Sequence, residues 1–348
     1  MAIKNVEAVI PPNSPHFVGD GFRVHGFIPG KHPLSMKRMS PFLLLDYNAK
    51  VNFPPSDTPR GVGVHPHRGF ETVTIAYKGK VAHHDSSGGG GVISEGDVQW
   101  MTAGSGIQHS EMFPMLNQRK NNTLELFQIW LNLPQHKKMV EPHFKMIWRN
   151  SIPVHRMLDN DGNEIELHQY AGSFNGTTSP ETAPDSWAKD PKNEVAIWHI
   201  RLEAGSHWKL PASRKGINRC LYFFQGDKLE LMGTEVQSEF MIELDGLEEV
   251  ELANGDQDSK LLMLQGKPIG EPVAQYGPFV MNTSDEIQQA FKDYQRTQFG
   301  GWPWDKSDTI HGRAVSYTHL RANETLRNLV CRLLLEKKKG GGGGGGGG

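Results

Sequence analysis

Apolar residues in this chain come in short runs of about four to eight, each closed by glycine, proline or a polar pair. GFRVHGFIP, FLLLDYNA, TVTIAYKG, KVAHHDS, GDVQWMTAG and TLELFQIWLNLP follow one another in this way. Such punctuation predicts the strands of an all-β barrel or sandwich. Residues 134–155, rich in Pro, His and Lys, have the composition of a connector. A second set follows: IELHQYAG, then a polar loop at 171–193, then EVAIWHIRLEAG, HWKLPA, RCLYFFQGDKLEL, SEFMIELDG, EVELANG and KLLMLQGKPI. Two β-rich sets in tandem suggest a diverged internal duplication. Helix is expected only at SDEIQQAFKDYQR, with Ser284 as its N-cap and Phe291 and Tyr294 on one face.

The chain end changes the composition. Residues 337–339 are lysines and 340–348 are glycines, as AAA and GGG homopolymers would be translated. The stretch before them, SYTHLRANETLRNLVCRLLLEKKK, resembles a translated cloning adaptor. Leu326, Leu329, Val330, Leu333 and Leu334 could instead form an amphipathic helical stripe. Residues 316–348 are therefore set apart, leaving units expected at 1–143 and 144–315. The formal charge of −2 becomes −6 once the tail, with an excess of four positive charges, is removed. An acidic body is a poor nucleic-acid binder, because phosphate contacts need basic surface. No apolar run approaches the ~20 residues of a membrane span, and no secretory leader is evident. Of two cysteines, Cys220 and Cys331, one belongs to the tail. A disulfide framework is not expected, in keeping with a cytoplasmic location.

The chemistry concentrates in two trios, His65-Pro66-His67 and His109-Ser110-Glu111. In each, the outer residues are two apart, and alternate side chains of a strand share a face. Extended and paired, the trios could aim three imidazoles and one carboxylate into one space, a donor set for a divalent transition metal. Four protein ligands leave one or two open positions. Glu71 is a competing carboxylate, an even step from His67. The other histidines, including the adjacent His83 and His84, lack a patterned partner, as do His199 and His207 in the second half. The run Gly88–Gly91 is a turn rather than a phosphate loop, since no P-loop lysine follows it. Phe70, Trp100, Met101 and Met112 could line a cavity but have the composition of core.

PRGVGVHPHRGFETVTIAYKGK and SEGDVQWMTAGSGIQHSEM resemble the signature blocks of the pirins, a branch of the cupin superfamily. FLLLDYNAKVNFP and FGGWPWDKSDTIHGRA resemble pirin segments too, so the likeness spans roughly residues 1 to 315. The resemblance implies a bicupin: two β-barrels face to face, with metal in the N-terminal one alone. It implies iron(II), held by His65, His67, His109 and Glu111. The donor set itself leaves manganese, copper, nickel and zinc open. It further implies quercetin 2,3-dioxygenase activity, with a flavonol and O2 as substrates and Glu111 as general base. The alternative it carries is a non-catalytic, iron-dependent regulator of a transcription factor or metabolic enzyme. Glu71, the usual cupin position, is expected to be a supporting carboxylate.

Overall fold

The computed structural model describes residues 6–28 and 36–307. His32, Cys331 and the adaptor-like tail lie outside them. The expected strands form, and they are arranged twice in the same way. In the first half a seven-stranded sheet runs His143–Ile147, Val98–Thr102, Phe70–Lys78, Asn122–Asn132, Phe42–Phe53, Phe22–Ile28, His16–Val18. Opposite it lie four strands, Arg60–His67, Ile107–Phe113, Lys80–Asp85 and Gly90–Ser94. The second half repeats this division. Its seven strands are Val6–Ile10, Phe240–Asp245, Asn218–Gln225, Ser259–Gly266, Ala196–Leu202, Glu164–Ala171 and Val154–Leu158. Its four are His207–Leu210, Val250–Asn254, Lys228–Leu231 and Thr234–Gln237. The fold is therefore all-β with two cupin-type domains and few short helices.

Each half has its own apolar interior. Phe22, Val24 and Leu126 of the large sheet meet Val81, Ile93 and Phe113 of the small one. In the second half Leu210, Leu229, Leu231, Val250 and Leu252 fill the corresponding space with aliphatic carbon. The halves join through the outer faces of their large sheets, because those faces are apolar too. Across the junction Phe27 meets Tyr222 at 4.2 Å, and Tyr47 meets Tyr222 at 5.7 Å. Strands buried on both faces explain why FLLLDYNA and RCLYFFQ are continuous apolar runs rather than alternating ones.

The chain ends are exchanged between the halves. Val6–Ile10 pairs antiparallel with Phe240–Asp245 of the second sheet. Conversely, the segment Phe279–Met281 and the helix Ser284–Thr297 return to the first half. Val280 N–H donates to Arg68 O at 3.0 Å, and Arg68 pairs with Asp293 at 2.8 Å. Lys138, 1% exposed, is the anchor between them. Its three N–H groups reach Gly69 O (2.8 Å), Asn132 Oδ1 (2.7 Å) and Val280 O (3.1 Å). Among the described residues no helix is long and apolar enough to cross a membrane.

Two local expectations are corrected. The connector 134–155 contains a strand, His143–Ile147, that closes the edge of the first large sheet against Val98–Thr102. The helix is capped by Thr283, not Ser284. Thr283 is the last extended residue (φ −134°, ψ 159°), so its hydroxyl can turn back onto Glu286 N–H. The Glu286 carboxylate in turn accepts from Thr283 N–H at 2.9 Å, completing a capping box. Thr283→Ala is expected to cost about 1 kcal/mol in chemical denaturation, with Ser284→Ala near neutral; the reverse order would restore the original assignment.

Candidate metal centre

Arg60–His67 and Ile107–Phe113 are neighbours in the small sheet, with His65 directly opposite His109. Alternation then puts His67 on the face of His65. Their ring centroids lie 4.3 Å apart for His65–His109 and 4.8 Å for both His65–His67 and His67–His109. One donor nitrogen from each of the three lies within 4.8 Å of the others, the one such cluster among the described residues. Donors on a single ion with bonds near 2.1 Å stand at most ~4.2 Å apart, so small ring rotations close the set onto one ion.

The protonation pattern suits that use. His65 Nδ1 lies 2.8 Å from Gly63 O, and His67 Nδ1 lies 3.3 Å from Pro278 O. A carbonyl only accepts, so both Nδ1 atoms carry the proton and both Nε2 atoms present lone pairs. His109 Nε2 is buried with no hydrogen-bond partner. Such an orphan is costly unless something binds it, and a cation is what a bare imidazole nitrogen takes. Burial lowers the pKa of His65, and pushes His67 and His109 well below the ordinary imidazole range, helped by their mutual repulsion. All three are thus neutral at pH 7, the form that ligates. His65 alone is partly exposed and marks the open side.

The carboxylates are placed differently. Gly63 and Val64 together oppose Ser110, a bulge between the His65–His109 and Val62–Glu111 pairs. Glu111 lies just past this bulge, 7% exposed, outside the cluster of mutually close nitrogens. Its Oε1 is 3.1 Å from the Thr74 hydroxyl, which also approaches Gln128 Oε1 at 2.6 Å. Glu71 is engaged elsewhere: Thr102 donates to its Oε1 at 2.7 Å and Ser186 to its Oε2 at 2.5 Å. Burial pushes its carboxyl up to about 7 against these two bonds. Ser186 belongs to the loop 171–193, which therefore does more than connect.

Of the four apolar residues singled out from sequence, Phe70 alone has a ring contact with a site imidazole, meeting His67 at 5.1 Å. Trp100 and Met101 pack in apolar clusters, and Met112 is buried. Trp130, 5.3 Å from His67, was not legible in advance. His83 also reaches the site, buried with its Nδ1 3.4 Å from His109 Nδ1. Its signal was available: His83 and Asp85 share the two-residue spacing of the ligand trios.

Comparison with known proteins bears on both halves. The profile of the pirin family matches residues 21–131, and that of the pirin C-terminal cupin domain matches residues 197–300. The chain belongs to the pirin family. A protein of Pseudomonas aeruginosa named "putative quercetin 2,3-dioxygenase" is 38% identical over 85% of this chain and 99% of its own length. Pirin-1 of Arabidopsis thaliana is 35% identical, covering 77% and 86%. The crystal structure of a quercetin 2,3-dioxygenase from Acinetobacter baumannii is 37% identical with a TM-score of 0.76, covering 86% and 99%. The Escherichia coli pirin YhhW, solved in complex with nickel(II), shares the fold at 17% identity and a TM-score of 0.52, over 75% of this chain and 98% of that one. Within this pirin scaffold each signature block runs through one strand of each sheet of the N-terminal half, and the small-sheet strands Arg60–His67 and Ile107–Phe113 bring the three imidazoles together.

Proposed function

We propose that this chain is an iron(II)-dependent dioxygenase of the quercetin 2,3-dioxygenase type, acting in the cytoplasm on flavonol-like substrates. His65, His67, His109 and Glu111 are assigned as ligands. The observation that carries the assignment is the convergence of three neutral imidazoles whose Nδ1 protons are directed away from the shared space or, for His109, whose Nε2 is left without a partner. Likeness to proteins bearing the quercetin 2,3-dioxygenase name supports the reaction class. Iron(II), when bound, supplies a redox-active Lewis acid with open positions for O2 and a substrate oxygen.

The chain's own residues do the rest. His65, at the exposed side, leaves an approach for a planar substrate. Phe70 and Trp130, 4.2 Å apart, back His67 with apolar surface and keep water from that side. Thr74 holds one carboxylate oxygen of Glu111. The other is available to take the proton of the flavonol hydroxyl as general base. Protein loaded anaerobically with iron(II) and given quercetin is expected to take up one O2 per flavonol consumed when air is admitted. Fully loaded protein that consumes neither would overturn the catalytic assignment.

A further inference from the structure

The third ligand is supported differently from the other two. His65 and His67 hand their Nδ1 protons to backbone carbonyls, Gly63 O and Pro278 O. His109 has no carbonyl there. Its Nδ1 faces His83 Nδ1 at 3.4 Å, and His83 Nε2 lies 3.2 Å from Asp85 Oδ2. His83, Asp85 and His109 are each 0% exposed. The strand Lys80–Asp85 creates this line by pairing with Ile107–Phe113, Asp85 opposite His109 and His83 opposite Glu111.

Donor and acceptor rules fix the protons along the line. Asp85 Oδ1 accepts from Ser87 N–H (2.9 Å), Ser87 Oγ–H (2.5 Å) and Gly89 N–H (3.0 Å), so Asp85 is organised as a carboxylate. It can only accept, and His83 Nε2 must donate to it. With one ring proton, held on Nε2, His83 presents a lone pair at Nδ1. Gln99 Nε2, 3.0 Å away, points its amide hydrogen at that same lone pair. A proton on His109 Nδ1 makes the 3.4 Å contact a second, longer donation to this nitrogen, shared with Gln99, and leaves His109 Nε2 bare. That is the nitrogen found buried without a partner. Phe144 stacks on His83 at 4.5 Å and 7°, holding the ring in plane for both contacts.

We propose that Asp85 and His83 form a carboxylate–imidazole–imidazole chain that sets the tautomer and ring orientation of His109 as a metal ligand. Both are positioning residues; neither touches the reacting atoms. The inference rests on the metal-site assignment above. Outer partners of ligating histidines are worth roughly ten- to a hundredfold in metal affinity. The relay is also the one support of the three rings built from side chains, so it is open to substitution.

The test is anaerobic titration of the full chain with iron(II), and with nickel(II) as a redox-inert probe, against a competing chelator. His83→Leu is expected to weaken binding roughly ten- to a hundredfold. His83→Gln, whose Oε1 can still accept from His109 Nδ1–H, is expected to recover most of that loss. Nitrogen-15 NMR of the zinc-loaded wild-type chain supplies a readout that needs no variant to fold. His83 is expected as the Nε2–H tautomer and His109 as the Nδ1–H tautomer. Wild-type affinity in His83→Leu, no recovery in His83→Gln, or a proton on His83 Nδ1 would each overturn the relay. Failure of the wild-type chain to bind metal, or His65→Ala binding as well as wild type, would instead overturn the site assignment.

Discussion

Replacing His109 with alanine lowers affinity for iron(II) or nickel(II) at least about a hundredfold, since outer partners of a ligand alone are worth up to that much. The argument starts from burial. His109 is 0% exposed, and its Nε2 has no protein partner, so the native structure bears a desolvation cost that metal binding would offset. Removing the ring leaves His65, His67 and the carboxylate of Glu111, a set that holds a divalent ion far less well against a chelator. Chelator competition measures the loss directly, and binding equal to wild type would remove His109 from the site. The same titration separates the two carboxylates. Glu111→Gln should release more metal than Glu71→Gln, because Thr102 and Ser186 already occupy both oxygens of Glu71. Greater loss from Glu71→Gln would exchange their roles.

The second large effect concerns stability. Glu71 is buried between the halves, and its carboxyl is pushed from an ordinary 4.5 up to about 7, chiefly by desolvation. A carboxyl raised in the folded state binds more protons there than in the unfolded chain. Stability therefore falls as pH rises from 4.5 to 7, and the penalty is complete above 7. A shift of this size corresponds to about 3 kcal/mol. Glutamine keeps the shape and stays neutral. Glu71→Gln is expected to match wild type near pH 4.5 and to exceed it by up to about 3 kcal/mol at pH 8. Asp46, also raised to about 7 by burial, slopes the same way in both proteins, so the difference between the curves isolates Glu71. Parallel curves in urea denaturation across this range would show that Glu71 is not desolvated as described.

What could be foreseen divides along physical lines. The three imidazoles were legible because strand alternation is local and adjacent strands bring two such trios together. The strands themselves were legible from glycine and proline punctuation. Glu111 shows where local periodicity stops. Alternation gives it the face of His109, yet it stands outside the nitrogen cluster, with its Oε1 facing the Thr74 hydroxyl at 3.1 Å. His83 sits beside His84 in sequence, but its partner in space is Asp85, two residues on. The Thr283 cap turned on a single backbone conformation. The hydrogen bond from His67 to Pro278 spans 211 residues, and no spacing rule reaches that far.

That last contact bears on how the molecule can be divided. The three-histidine ring lies wholly within the first half of the gene, yet one of its rings is tethered by a carbonyl from beyond the second set of strands. The second half likewise borrows its edge strand, Val6–Ile10, from the opposite terminus. A dissected amino-terminal fragment would hold every proposed donor and still leave His67 free to swivel. Co-expression of complementary pieces, or a permuted chain with a new break elsewhere, preserves the metal centre where simple truncation does not.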